Sequence, residues 1–400
     1  MQNSHRQLVL MLIAVFTILQ WLTLAIFGYT PYPDSNGYIA LAEECIAEND
    51  WYPIATKINE YPFLWNIGAI NAVVLTLKWF HSVTPLLIVY ALMKGITAAL
   101  FYAVTRKING PHVAFIALIL YVIYPANYGE GTSVLSELPF TFFVMLGIYL
   151  SIARNCSITG GMMLAIANWF RPMGIVFLLA MTVFFLFRWR KSLKLLIGYT
   201  AMITIIGCAT MHRTGLFLYQ AKTGWMALMD YSSDHAPKSM KVRERTDWNV
   251  AQKDAAWQSL FTDWLKEHPK EYLAQMPSKL MNTYISDNVN LCTFIPDKAE
   301  KDYMYEEISL KTIIRQIPHW SAVQWLTILN LLFYYSLLLM AIASLFYFSR
   351  DTHLLPVSII LLGTILLLLV GHGEARFHIP FMPFFMMLAA CFIERITWKG

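Results

Sequence analysis

Charged side chains are scarce in this chain: Asp, Glu, Lys and Arg make up 14% of its 400 residues against 57% hydrophobic, too little charge for a soluble globule of ordinary composition. A polytopic membrane protein remains. Nucleic-acid motifs and basic stripes with interleaved aromatics are absent, so nothing in the chain is built to grip nucleic acid. The five cysteines are scattered and form no metal-spaced cluster. Cys45 and Cys292 both fall on the outer side, but two cysteines fix no geometry by themselves, and a disulfide between them stays open. No small-residue cleavage site follows the first apolar run, because Gly28-Tyr29-Thr30 leads straight into prolines; residues 8–29 therefore read as a retained anchor. Internal repeats, usual in transporters, are also missing. The formal net charge of +5 says little about partners, since a membrane sorts charge by side.

The first apolar run is long enough to cross a hydrocarbon core of about 30 Å. It delivers Pro33-Asp34-Ser35-Asn36-Gly37-Tyr38 to the lipid surface. Beyond it Tyr38, Leu41, Ala42, Cys45 and Ile46 recur at helical spacing, with Glu43, Glu44 and Glu48 on the opposite face. Such a helix lies on a bilayer. Asp34 or Ser35 can be read as its N-cap, or Asp34 as part of a site at the membrane mouth.

Basic clusters orient the remaining spans. His5-Arg6, Arg106-Lys107, Arg154, the group Arg188, Arg190, Lys191 and Lys194, then Arg350, Arg395 and Lys399 all fall inside if residues 63–80 re-enter or lie at the outer surface. Residues 157–187 break into two spans at Arg171-Pro172, because proline cannot continue a helix without losing a hydrogen bond. Trp257, Leu260, Phe261, Trp264 and Leu265 form a helical stripe in the polar region that follows, and Pro269 restarts a helix carrying Tyr272, Leu273 and Met276. The expected fold is an all-α polytopic membrane protein of about ten transmembrane helices with both termini cytoplasmic. It adds an external juxtamembrane and re-entrant helix pair and a small helical external domain. Residues 1–212 form the N-terminal transmembrane module with a first external loop at 30–84, residues 213–320 the external domain, and residues 321–400 the last helices.

Asp34, Glu60, Glu130, Glu137, Arg171, Arg213, Glu374, Arg376 and His378 all fall at external span ends or in the first outer loop. Charges in or beside hydrocarbon are costly and mark pathways or sites, although any one of them can also be a snorkelling residue or a salt bridge between helix ends. Glu137 fits those alternatives least well, lying about one turn inside an apolar segment. Lys94 is the main polar residue in mid-span.

Five motifs in this order resemble the GT-C superfamily of integral-membrane glycosyltransferases. They are Asp34 in the first external loop, Tyr61-Pro62, Tyr124-Pro125 followed by Leu135-Ser136-Glu137-Leu138, Arg171-Pro172, and Gly373-Glu374-Ala375-Arg376-Phe377-His378-Ile379-Pro380. They look most like the bacterial relatives of protein O-mannosyltransferases and the aminoarabinose (lipid A) transferases. His268-Pro269-Lys270-Glu271-Tyr272-Leu273 is similar to a turn before a helix in those proteins. The resemblance implies transfer of a sugar, with inversion, from a polyprenyl-phosphate carrier such as undecaprenyl phosphate to an acceptor lipid, glycan or protein outside the bacterial inner membrane. By position it makes Asp34 the catalytic acid residue and Arg171, Arg376 and His378 the phosphate-binding groups, and placement at the external boundary adds Arg213 as a further candidate. Glu137, Glu374, Glu60 and Tyr38 are then orienting or sugar-binding. Several relatives carry two adjacent acids in the first loop, whereas Ser35 follows Asp34 here, which weakens the case for a bridging metal; a divalent ion is not expected. With no large soluble domain after the last span, acceptor recognition is expected in residues 213–320.

The chemistry asks for the same groups. A hydroxyl is a poor nucleophile, and a carboxylate in hydrogen-bond reach can take its proton as the new C–O bond forms. A leaving phosphate needs cations rather than a proton, and arginine forks suit it bidentately. The rival reading is a flippase of lipid-linked sugars, and a further one a scaffold protein; neither would release free polyprenyl phosphate from its donor.

Overall fold

The computed structural model describes residues 2–51, 66–232, 236–245, 247–294, 321–347, 355–371 and 373–398. Every regular element among them is helical. Glu60, Tyr61-Pro62, Arg350 and Lys399 lie outside the described residues.

Five helical stretches are long and apolar enough to cross a membrane: Ser4–Phe27, Thr84–Asn109, Leu186–Thr214, Ala322–Tyr347 and Ala375–Thr397. Pro111–Ile123 and Ala126–Thr132, bent by 64°, make a sixth if they are one broken span. The bend falls at Tyr124-Pro125, where proline withdraws a backbone donor. Four more apolar helices are shorter: Ile67–Phe80, Glu137–Ile152, Gly174–Phe184 and Val357–Leu368. The expected count of about ten includes several such short helices. At a rise of about 1.5 Å per residue, a 16-residue helix such as Glu137–Ile152 covers only about 24 Å, less than the hydrocarbon core.

Helix α1 (Gln2–Phe27) presents Leu10, Met11, Val15, Leu22 and Ile26 outward and buries Phe16. Helix α2 (Pro33–Ala47) is amphipathic as its spacing predicts, burying Ser35, Tyr38, Leu41, Ala42 and Cys45 while Glu43 and Glu44 stay exposed. It packs on α3 (Ile67–Phe80). Cys45 is a free thiol, and burial, reinforced by Asp50, Glu44 and Glu48, pushes it up to about 12. The side chain of Cys292 lies outside the described residues.

Helix α4 (Thr84–Asn109) runs through the centre, against α1, α5 (Pro111–Ile123) and α7 (Glu137–Ile152), with the short α6 (Ala126–Gly129) and a 3-10 turn, Glu130–Thr132, between the last two. Helix α8 (Ser157–Phe170) lies between α7 and α10 (Trp189–Thr214), and α9 (Gly174–Phe184) follows the break at Arg171-Pro172. Small residues let these backbones close up. A Cβ built on Gly161 would meet the Leu195 carbonyl oxygen of α10 at 2.0 Å, and one on Gly198 the Ile158 carbonyl oxygen of α8 at the same distance.

Helices α11 (Gly224–Ser232), α12 (Ala236–Arg243), α13 (Val250–Glu267) and α14 (Pro269–Tyr284) follow. An Asn249–Gln252 capping box opens α13, Asn249 Oδ1 accepting from the Gln252 amide at 3.0 Å and Gln252 Oε1 from the Asn249 amide at 2.9 Å. The expected stripe holds: Trp257, Phe261 and Trp264 are buried together with Leu218, Met229 and Tyr272 in a second apolar core that reaches Ile67 of α3. The helix restarted at Pro269 carries Tyr272, Leu273 and Met276 as expected, with Tyr272 facing α13 and Leu273 exposed. Helices α15 (Ala322–Tyr347), α16 (Leu355–Val370) and α17 (Met382–Trp398) close the chain. Helix α17 packs on α5 and α15, α16 on α9 and α14, and the 3-10 segment Ala375–Phe381 on α7 and α14.

Candidate functional site

Local backbone chemistry sets each charged residue of the site. Tyr32 is the N-cap of α2 and Pro33 its first residue, a position where the missing N–H costs nothing, so Asp34 comes in the first turn. No side chain caps this helix, which rules out Asp34 or Ser35 in that role. Glu137 likewise opens α7. Both carboxylates therefore meet the positive end of a helix dipole. Arg171 leaves α8 in an extended conformation, φ −155° and ψ 128°, as the residue before a proline must. Arg376 is carried by the 3-10 segment before α17.

These four residues, from four separate parts of the chain, meet. Arg376 Nη1 lies 2.5 Å from Asp34 Oδ2. Its Nε is 3.2 Å from Glu374 Oε1 and 3.8 Å from Glu137 Oε1. Arg171 Nη1 is 2.8 Å from that same Glu137 oxygen, so one carboxylate joins the two guanidinium groups. The Phe377 ring covers Arg171, with its centroid 4.6 Å from Cζ. Side-chain exposure rises outward through the cluster, from 2% at Glu137 and 8% at Arg171 to 15% at Arg376, 23% at Asp34 and 42% at Glu374. The inner pair is sealed and the outer pair can be reached.

A neutral network supports the inner pair. Asn66 Nδ2 donates to Tyr38 Oη at 2.8 Å and to Ser136 Oγ at 3.0 Å. Ser136 Oγ accepts from Arg171 Nη1 at 3.2 Å and donates to Glu137 Oε2 at 3.3 Å. Burial, then the charges of Asp34 and Glu137, raise the Tyr38 phenol above its ordinary value, so it stays protonated. The sequence signal for Ser136 was its place beside Glu137, and for Asn66 its place just ahead of an apolar helix; neither names a partner.

Other expected members sit elsewhere. Glu374 joins the cluster at its rim, and Tyr38 lies behind it. Arg213 does not join: it lies in the last turn of α10, about half exposed, and pairs at 3.8 Å with Asp50, beyond the far end of α2. His378 is no open phosphate ligand either. It is fully buried, with Nδ1 2.7 Å from the Thr283 carbonyl oxygen and Nε2 2.9 Å from Asp287 Oδ1. Glu130 turns inward to Lys94, which also donates to Asn127 Oδ1 at 3.0 Å, so the polar residue of mid-span and an acid assigned to the outer boundary neutralise one another. Among the described residues no three His, Cys, Asp or Glu side chains gather in an arrangement able to hold a metal ion. Compared with protein-family models and with curated proteins, the chain matches none.

Proposed function

We propose that the chain is a membrane-embedded inverting glycosyltransferase of the GT-C kind, with about ten spans in a bacterial inner membrane and its site on the outer face. The convergence of Asp34, Glu137, Arg171 and Arg376 carries this reading. A sugar on a polyprenyl-phosphate carrier presents an anion and a lipid tail together, and two adjacent guanidinium groups beside lipid-exposed helices suit both.

Asp34 and Arg376 are joined at 2.5 Å, and the reaction begins by parting them. The carrier phosphate takes the place of Asp34 on Arg376 Nη1, and the displaced carboxylate becomes free to face the acceptor. The acceptor oxygen attacks the anomeric carbon, its proton passes to Asp34, and the bond from that carbon to the phosphate oxygen breaks. The electron pair leaves on the polyprenyl phosphate, held by Arg376 and Arg171. Glu137 keeps the two guanidinium groups side by side throughout.

Internal pairing of every charge favours one competing reading, a purely structural staple between helix ends. Reconstituted protein supplied with a labelled polyprenyl-phosphate sugar decides between them. Release of free polyprenyl phosphate, lost by about 10²-fold or more in Asp34→Asn, is expected of the transferase. Wild-type rates in Asp34→Asn would reject the general-base assignment, and no release from any lipid-linked sugar with any acceptor would reject the transferase.

A further inference from the structure

We infer that His378 and Asp287 are positioning residues: they hold one proton between them and clasp the segment that carries Arg376 onto α14. This rests on the reading of Arg376 as an anion-binding group.

The hydrogen-bond chemistry is restrictive. A carbonyl oxygen only accepts, so the contact of His378 Nδ1 with the Thr283 carbonyl at 2.7 Å places a proton on Nδ1. Nε2 then faces Asp287 Oδ1 at 2.9 Å. That contact needs a further proton, carried either by an imidazolium facing a carboxylate or by a carboxylic acid facing a neutral ring. The other oxygen of Asp287 already accepts the Tyr124 hydroxyl. Without the shared proton, two acceptors would oppose each other inside a site where His378 is fully buried and Asp287 is 2% exposed. The buried pair closes only when protonated.

The clasp brackets the arginine. Two residues after Arg376, His378 is bonded to Thr283 of α14 and to Asp287 just beyond it. Three residues before it, the backbone of Gly373 lies so close to α14 that a Cβ there would meet the Lys279 carbonyl oxygen at 1.8 Å. Helix α15 locks the far side, with Tyr334 Oη donating to the Tyr284 carbonyl at 3.2 Å and Asn330 Nδ2 to the Asp287 carbonyl at 3.4 Å. Around the pair stand Tyr124 from just after α5, Tyr284 from α14 and Tyr334 from α15, and Lys94 of α4 is near enough to sense the charge of Asp287. Lys279, one turn earlier on α14, turns to the ring of Tyr272. Breaking the pair opens the joint and frees Arg376 from its fixed place over Asp34 and Glu137.

Hydrogen exchange of the full chain in lipid nanodiscs, compared between the wild type, Asp287→Leu and Asp287→Asn under one set of conditions, tests this. Asp287→Leu leaves His378 Nε2 without its partner, so residues 375–381 should exchange at least about tenfold faster than in the wild type, the factor a lost charged hydrogen bond is worth. Asp287→Asn can donate from its amide to His378 Nε2 while still accepting from Tyr124, so its protection and its sugar transfer should stay within about threefold of the wild type. Asp287→Leu protection equal to that of the wild type, or an Asp287→Asn chain as loose as Asp287→Leu, would overturn the inference. Wild-type exchange of residues 283–291 and 375–381 at the intrinsic rate would overturn it with no variant needed. If exchange behaves as stated and no chain transfers sugar, the clasp stands and the transferase reading falls.

Discussion

Glu137 is the residue whose loss should be felt most. Its Oε1 sits 2.8 Å from Arg171 Nη1, which at an effective dielectric constant of about 20 amounts to about 6 kcal/mol of gross attraction. Desolvation of both groups offsets most of that, but removing one partner alone leaves the other buried and uncompensated, a cost of about 3–5 kcal/mol. Arg171 is 8% exposed and, among the described residues, would keep Ser136 Oγ and the Phe377 ring. Glu137→Gln keeps the shape and removes the charge. Its apparent melting temperature in detergent should fall by about 5–10 °C. The double variant Glu137→Leu, Arg171→Met should recover most of the loss, because an apolar pair of similar volume leaves no charge unpaired. Inorganic pyrophosphate should raise the melting temperature of Glu137→Gln more than that of the wild type, since the freed guanidinium groups gain an anion by mass action. A Glu137→Gln melt indistinguishable from wild type, or a double variant as unstable as the sum of its parts, would refute the reasoning.

Other consequences can be measured directly. Gly373→Ala should lower transfer by at least about tenfold with the protein still folded, since the Lys279 carbonyl must give way and Arg376 shifts with the segment; unchanged kinetics would show that the contact positions nothing. Arg213→Ala should change transfer by less than about threefold, as befits a half-exposed ion pair at 3.8 Å, and a larger loss in a kinetic assay would return it to the site. At pH 8 a thiol held near 12 is ionised in only about one molecule in 10⁴, so Cys45 should resist maleimide while exposed Cys156 reacts. Because Cys156 follows the α7 helix, an impermeant maleimide should reach it only from the cytoplasmic side, and labelling from outside would invert the expected topology.

The residues legible in advance were those whose chemistry is costly wherever they sit. Asp34, Glu137, Arg171 and Arg376 stood out because a charge beside an apolar run calls for a partner, and the structure brings the four together. Which partner each takes is a tertiary fact. Nothing local distinguishes Arg376, turned into the cluster, from Arg213, turned to Asp50; both are arginines at helix ends. His378 looked like a ligand for phosphate for the same reason, while Asp287, which encloses it, is a single acid in a polar stretch with no pattern around it. The α13 stripe and the break at Arg171-Pro172 were readable because helical periodicity and the missing amide of proline act within a few residues. The number of crossings was harder, since an apolar run does not declare whether its helix will be 14 residues long or 26.

Lys94 and Glu130 have a bearing on how the chain enters the bilayer. A lysine near the middle of an apolar helix is charged about 2.5–3.5 kcal/mol for insertion on its own. Its acid emerges from the ribosome only after α4, because it lies beyond α5 and the bend at Tyr124-Pro125. Partition into lipid is therefore expected to be concerted over residues 84–132, the two charges leaving water as one neutral unit once Glu130 has emerged.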